Sequence, residues 1–289
     1  MSQNPSTPAE WGIELSKLWL QAGMPFPVKP KLIALEVSKN RFKDRIVEVQ
    51  GHSIEGIEGV LYKSSKADEW FILYDMTVEV PGRVNFTIAH ELGHYLLHRQ
   101  AETKFQCGQS TMLEYDSPES KLREKEANLF ASFLLMPIND FRQQIAGHEV
   151  TLDLIAHCAD RYDVSLTASA LKWVSFTEEV AIVVVTRDDF ILWSYPSQEA
   201  RKLGIYFAMG TELSSQSKAN LAKGSATNIS IKMPTGVWHS KYESTETIIV
   251  SDRYELGIFL VRFPYANMKE FEDESESDTL DFIQSKFRA

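Results

Sequence analysis

The 289-residue chain is long enough for one large domain or two modest ones, with a core that needs no disulfide staple. Apolar residues make up 44% and charged residues 24%, as in an ordinary globular protein, and no stretch approaches the roughly 18 consecutive apolar residues of a membrane span. The net charge of −10 argues against broad binding to nucleic acid, whose phosphates demand a basic surface.

The chain opens with MSQNPSTPAEW, which has neither a basic start nor an apolar run. No secretory signal is expected, and the cytoplasm is the expected location. Cys107 and Cys158 lie far apart and lack metal-pair spacing, so they read as two unreactive thiols. A helical pattern covers residues 11–20, and Pro25, Pro27 and Pro30 rule out its continuation. A second helical segment spans residues 32–37, followed by extended segments at 45–49, 59–62 and 70–74. The last of these, WFILY, is a short apolar and aromatic run, as a buried strand would be, and could pair with an extended substrate segment as sheet edges do. Pro81–Gly82 marks a turn, and a helix begins near Asn85 or Thr87. Residues 100–120 form a polar loop, and a helix from 120 to 135 stops at Pro137.

Residues 150–174 read as two short helices around a DVS turn. From Val180 the period changes to strand-like runs: VAIVVVT, FILWSY, ETIIVS and LGIFLVRF. They predict one mixed or antiparallel sheet with a helix or two between. The acidic run EFEDESESD, residues 270–278, reads as a solvated segment. The fold class is therefore α+β, in three regions: 1–147, 148–178 and 179–289.

The chemistry concentrates in FTIAHELGHYLLH, residues 86–98. On a helix, His90 and His94 project from one face about 6 Å apart along the axis, which suits two imidazoles reaching one zinc. Glu91 points about 100° round, where a carboxylate can act as general base on the attacking water. His98 lies about 12 Å beyond His90 along the axis, too far to share the ion, and reads as a supporting or structural residue. Tyr95 neighbours His94 and offers an oxyanion donor, although its position suggests packing. A third ligand should come from a second helix, where SKLREKEANLFASFLLMP offers Glu124 and Glu126. Facing favours Glu124, at the edge of the apolar stripe, over Glu126, about 200° away and expected in solvent. Asn128, one turn beyond Glu124, is placed to hydrogen-bond a ligand.

RVNFTIAHELGHYLLH, followed by EKEANLFASFLLMP, closely resembles the ImmA/IrrE family of metallopeptidases. The resemblance covers about a quarter of the chain, roughly residues 59–137. It implies a zincin-like peptidase unit with His90 and His94 as zinc ligands, Glu91 as catalytic base and Glu124 as third ligand. Manganese could replace the zinc. The order of the whole chain is similar to the radiation-response regulators of the family, in which a helix-turn-helix-like segment and a GAF-like α/β domain follow the peptidase. The implied activity is endopeptidase cleavage of a Cro/cI-like helix-turn-helix repressor, which switches on a stress response or mobile-element genes.

The 150–174 helices hold Asp153, Asp160 and Asp163 against Arg161 and Lys172, a balance that disfavours direct DNA binding and suits packing or substrate docking. No membrane partner is expected. Trp193, Tyr195, Tyr206, Phe207, Trp238 and His239 could line a pocket for a small-molecule or protein signal in the C-terminal domain, or serve as ordinary aromatic core. The alternative to an enzyme is a non-catalytic regulatory protein that uses this domain to bind a ligand or partner.

Overall fold

The computed structural model describes residues 4–54, 56–107, 117–222, 230–251 and 256–264. They divide into two compact units: the chain up to Val150 with Ala156–Ser169, and Thr151–Ile155 with the chain from Ala170 on. No helix among the described residues is long and apolar enough to cross a membrane.

In the first unit, α1 (Pro8–Gln21) starts at a capping box, in which Thr7 accepts from the Glu10 backbone and Glu10 reaches back to Thr7. α2 (Pro30–Arg41) follows and turns its Ser38 hydroxyl to the Ile46 backbone N–H, tying the helix to the first strand. The strands β1 (Ile46–His52), β2 (Gly59–Lys63), β3 (Trp70–Asp75) and β4 (Lys104–Cys107) form one sheet in the order β1-β3-β2-β4. β3 pairs β1 in parallel and β2 antiparallel, and β2 pairs β4 antiparallel. The WFILY strand is therefore interior, with both edges occupied, and cannot take a substrate strand. Its apolar run is what such burial requires.

α3 (Pro81–His98) lies against this sheet, and α4 (Pro118–Leu135) packs on α3. Pro81 and Gly82 are not a turn but the first residues of α3, because proline's fixed φ and missing N–H suit the first helical turn. Residues 100–120 are not all loop, since β4 extends the sheet there. Pro137 ends α4 as expected, yet at once becomes the N-cap of α5 (Ile138–Ile145). Trp70, Tyr95, Leu61, Ile72, Leu92 and Phe130 are fully buried and form the core between helices and sheet.

α6 (Leu152–Tyr162) and α7 (Leu166–Val174) are the two expected short helices, and the boundary between the compact units runs through both. Between them Asp163 adopts a φ of 51°, which a short polar side chain tolerates, and accepts from Asn85 Nδ2 at 2.7 Å. Cys158 on α6 is a buried free thiol, pushed up to about 11 by burial, which fits the unreactive reading.

In the second unit β5 (Val180–Arg187), β6 (Phe190–Pro196), β7 (Ile231–Met233), β8 (Ser244–Ser251) and β9 (Leu256–Phe263) form a wholly antiparallel sheet in the order β6-β5-β9-β8-β7. α8 (Gln198–Lys202) and α9 (Ser215–Ala222) lie between β6 and β7 in sequence, giving the expected α/β C-terminal sheet domain. β5 is buried on both faces, hence its unbroken VAIVVV run. Val180, Ile182, Val184, Ile248 and Phe259 share a core cluster with Trp238. At its edge the buried Glu246 carboxylate accepts from Ser217 Oγ, Asn220 Nδ2 and Trp238 Nε1 at 2.7–2.8 Å, so both of its oxygens have donors. The six aromatic residues suggested for a pocket do not gather. Phe207 and Trp238 are in or against the core, Trp193, Tyr195 and Tyr206 are exposed, and His239 stacks on Tyr242. The acidic run at 270–278 lies outside the described residues.

Candidate metal centre

α3 carries His90, Glu91 and His94 into the interior, where they are 2%, 0% and 1% exposed. Burying three ionisable groups on one helix is costly unless each is satisfied. Two small residues bring the second helix close enough to help. A Cβ at Gly93 would lie 3.0 Å from Phe130 Cδ1 and 3.1 Å from Ala127 Cα, so the glycine within HELGH is where α3 and α4 touch. Glu124, almost one turn before Ala127, is thereby delivered to the histidines.

His90 Nε2 and His94 Nε2 lie 2.9 Å apart, and each meets a Glu124 oxygen at 3.2 Å. All three potential ligand atoms lie within 4.8 Å of one another, so His90, His94 and Glu124 could hold a metal ion. Four tetrahedral donors about 2.1 Å from an ion would be roughly 3.4 Å apart, close to the spacing seen. The hydrogen bonding fits too. His90 Nδ1 lies 2.9 Å from Asn128 Oδ1. An amide oxygen only accepts, so Nδ1 carries the proton and the Nε2 lone pair faces the cluster. The donor set of two imidazoles and one carboxylate suits a divalent cation.

Electrostatics agree with a site built for positive charge. Burial lowers His94 to about 4, against the pull of Glu124, so the ring is neutral and can ligate. Burial also pushes Glu91 up to about 8. Both Glu91 oxygens are buried without a hydrogen-bond partner of normal geometry, and the Leu61 backbone pulls on them only weakly. A carboxylate left unpaired in such a place wants a cation or a water.

Glu91 fits only because β2 has no side chain opposite it. A Cβ at Gly59 would lie 2.5 Å from Thr87 Cγ2 and 2.8 Å from Glu91 Oε1. Gly59→Ala should therefore displace the Glu91 carboxylate with little change in metal content, as metal analysis would show, and should cut by about tenfold or more any hydrolysis that depends on Glu91. Nothing in the sequence around Gly59 singled it out.

The remaining candidates divide. Asn128 reaches His90 as placed by the helix repeat. His98 does not join the cluster, but its Nδ1 lies 3.1 Å from His94 Nδ1 and its Nε2 3.0 Å from Glu126 Oε2. Glu126 is thus not simply a solvent-facing residue. α3 runs one turn past His94, and His98 meets Glu126 there. Tyr95 is kept away from the cluster: its hydroxyl donates to the Asp44 carbonyl at 2.8 Å, and its ring packs edge-on to Phe42 and Trp70. Phe105 of β4 was not anticipated. It stacks on His94 at 4.7 Å between ring centroids. A groove of about 660 Å³ lies on the other face of the sheet, lined among others by Val60, Tyr62, Leu73, Lys104 and Gln106, whose side chains point away from the Phe105 face by strand alternation. It is not the metal centre.

A family model of the IrrE N-terminal-like domain, a peptidase domain, matches residues 47–173. No curated protein matches. Among solved structures, a Mycobacterium tuberculosis transcriptional regulator is similar at a TM-score of 0.51 and 14% identity, over 87% of this chain and 75% of that one, a likeness of fold alone. The matched span includes both motifs and every residue of the His90–His94–Glu124 cluster, so residues 47–173 are similar to the peptidase domain of ImmA/IrrE-type proteins.

Proposed function

We propose that this chain is a zinc-dependent endopeptidase that cuts a Cro/cI-like helix-turn-helix repressor in the cytoplasm, switching on stress-response or mobile-element genes. The observation that carries this reading is the convergence of His90 Nε2, His94 Nε2 and Glu124 beside the buried, unpartnered Glu91. Zinc at that point would polarise the scissile carbonyl and acidify the attacking water. Glu91 takes the water proton and passes it to the leaving amine. Asn128 fixes the His90 ring. Residues 1–147 make up the peptidase domain, 148–178 a docking segment, and 179–289 a regulatory domain for a small-molecule or protein signal.

An extended substrate needs a sheet edge near the metal. β4 has no partner on its outer side among the described residues, and it presents Phe105 to His94. We assign the substrate strand to β4 instead of the interior WFILY strand.

The decisive experiment treats the purified chain with a chelator and offers it a panel of Cro/cI-like repressors. Mass spectrometry should find one cut, absent after chelation and restored by zinc, with manganese as the second metal. A chain that holds zinc stoichiometrically yet cuts none of them would favour the regulatory binding reading, which the transcriptional-regulator description of the structural neighbour also suits.

A further inference from the structure

His98 uses both ring nitrogens. Nε2 faces Glu126 Oε2 at 3.0 Å and Nδ1 faces His94 Nδ1 at 3.1 Å. The ring is buried, while Glu126 keeps 36% of its side chain in water. A carboxylate oxygen accepts hydrogen bonds. His98 Nε2 must then be the donor. A neutral imidazole has one N–H and one lone pair, so His98 Nδ1 presents the lone pair. His94 Nδ1 must in turn donate, which leaves the His94 Nε2 lone pair pointing at Glu124 and His90. The choice of proton position at Glu126 thus dictates a lone pair two hydrogen bonds away.

We propose that Glu126 and His98 are positioning residues which, as one relay, lock His94 in the tautomer and orientation that bind the metal. His90 has its own lock in Asn128, a single acceptor in direct contact. His94 has a two-step lock, and Phe105 stacked on its face holds the ring plane. The negative end of the relay also raises the basicity of His94 as a ligand, as carboxylates behind zinc-bound histidines do.

This inference rests on the zinc reading above. Its test is zinc affinity of the full chain, measured by competition with a chromophoric chelator. Glu126→Gln should weaken zinc by about 10–100-fold, because glutamine can donate as well as accept and no longer forces the tautomer. In a His98→Phe background the same change should have no further effect. Histidine ¹⁵N NMR of the metal-free chain should show His94 as the Nδ1–H tautomer in the parent and as a mixture in Glu126→Gln. That readout decides alone if His98→Phe fails to fold. The relay is refuted if Glu126→Gln binds zinc as the parent does and keeps its tautomer. It is equally refuted if the loss persists undiminished in the His98→Phe background, which would be a plain charge effect. A parent that binds no zinc would overturn the metal reading itself.

Discussion

Glu91→Gln should keep one zinc per chain and lose peptide-bond cleavage by about 10²–10⁴-fold, the range general acid–base catalysis supplies. Glutamine has the same shape, so the room left by Gly59 still holds it, and His90, His94 and Glu124 are untouched. What it lacks is a basic oxygen. A second consequence follows from burial. In the metal-free protein the Glu91 carboxyl is raised from 4.5 to about 8. Between those values the folded protein holds a proton that the unfolded chain has released, so the parent loses stability as pH climbs through that window. The glutamine variant carries no such liability. Thermal melts of the metal-free proteins should agree near pH 4.5 and separate towards pH 8, with Glu91→Gln the more stable by on the order of a few kcal/mol. Saturating zinc should narrow the gap, since a nearby cation favours the carboxylate. Undiminished cleavage by the variant would remove Glu91 from the chemistry, and parallel melts at all pH values would show that its carboxyl is not desolvated.

How much of this was legible beforehand depends on the range of each interaction. His90, Glu91 and His94 sit on one helix, so a local repeat of 3.6 residues is enough to place them together. Glu124 was legible because α4 has its own apolar stripe, and a residue at the stripe's edge must approach the neighbouring helix. Glu126 was misread by the same reasoning. Facing on α4 alone says solvent, but the partner is His98, on a different helix, and only the packing of α3 on α4 brings them together. Phe105 belongs to a strand within a polar segment whose pairing with β2 is long-range, so no local pattern announces it. The WFILY strand was recognised, yet its rank in the sheet was not. An apolar run signals burial and does not say which neighbours provide it. In the C-terminal unit the strands were plain from their apolar runs, while β7, three residues long, was too short to leave a pattern.

The two glutamates of α4 can be separated by one measurement. Glu124→Ala should abolish the rise in melting temperature that zinc gives the parent. A ligand that binds only the folded state stabilises by RT ln(1 + [L]/Kd), so the zinc-dependent increment reports affinity without any assay of cleavage. Glu124 supplies the one carboxylate within 3.2 Å of both His90 Nε2 and His94 Nε2 among the described residues. Two imidazoles without it form an incomplete set, and the loss should exceed the roughly 100-fold that marks residues acting behind a ligand. Glu126→Ala, two positions on, removes the contact to His98 and should shrink the increment without erasing it. The metal-free melts of Glu124→Ala should lie near those of the parent, because a third of this side chain is in water and alanine suits a helix interior. If zinc stabilised Glu124→Ala as strongly as the parent, the carboxylate would not be a ligand. The histidine pair would then need another donor, and the peptidase reading would lose the third corner of its metal site.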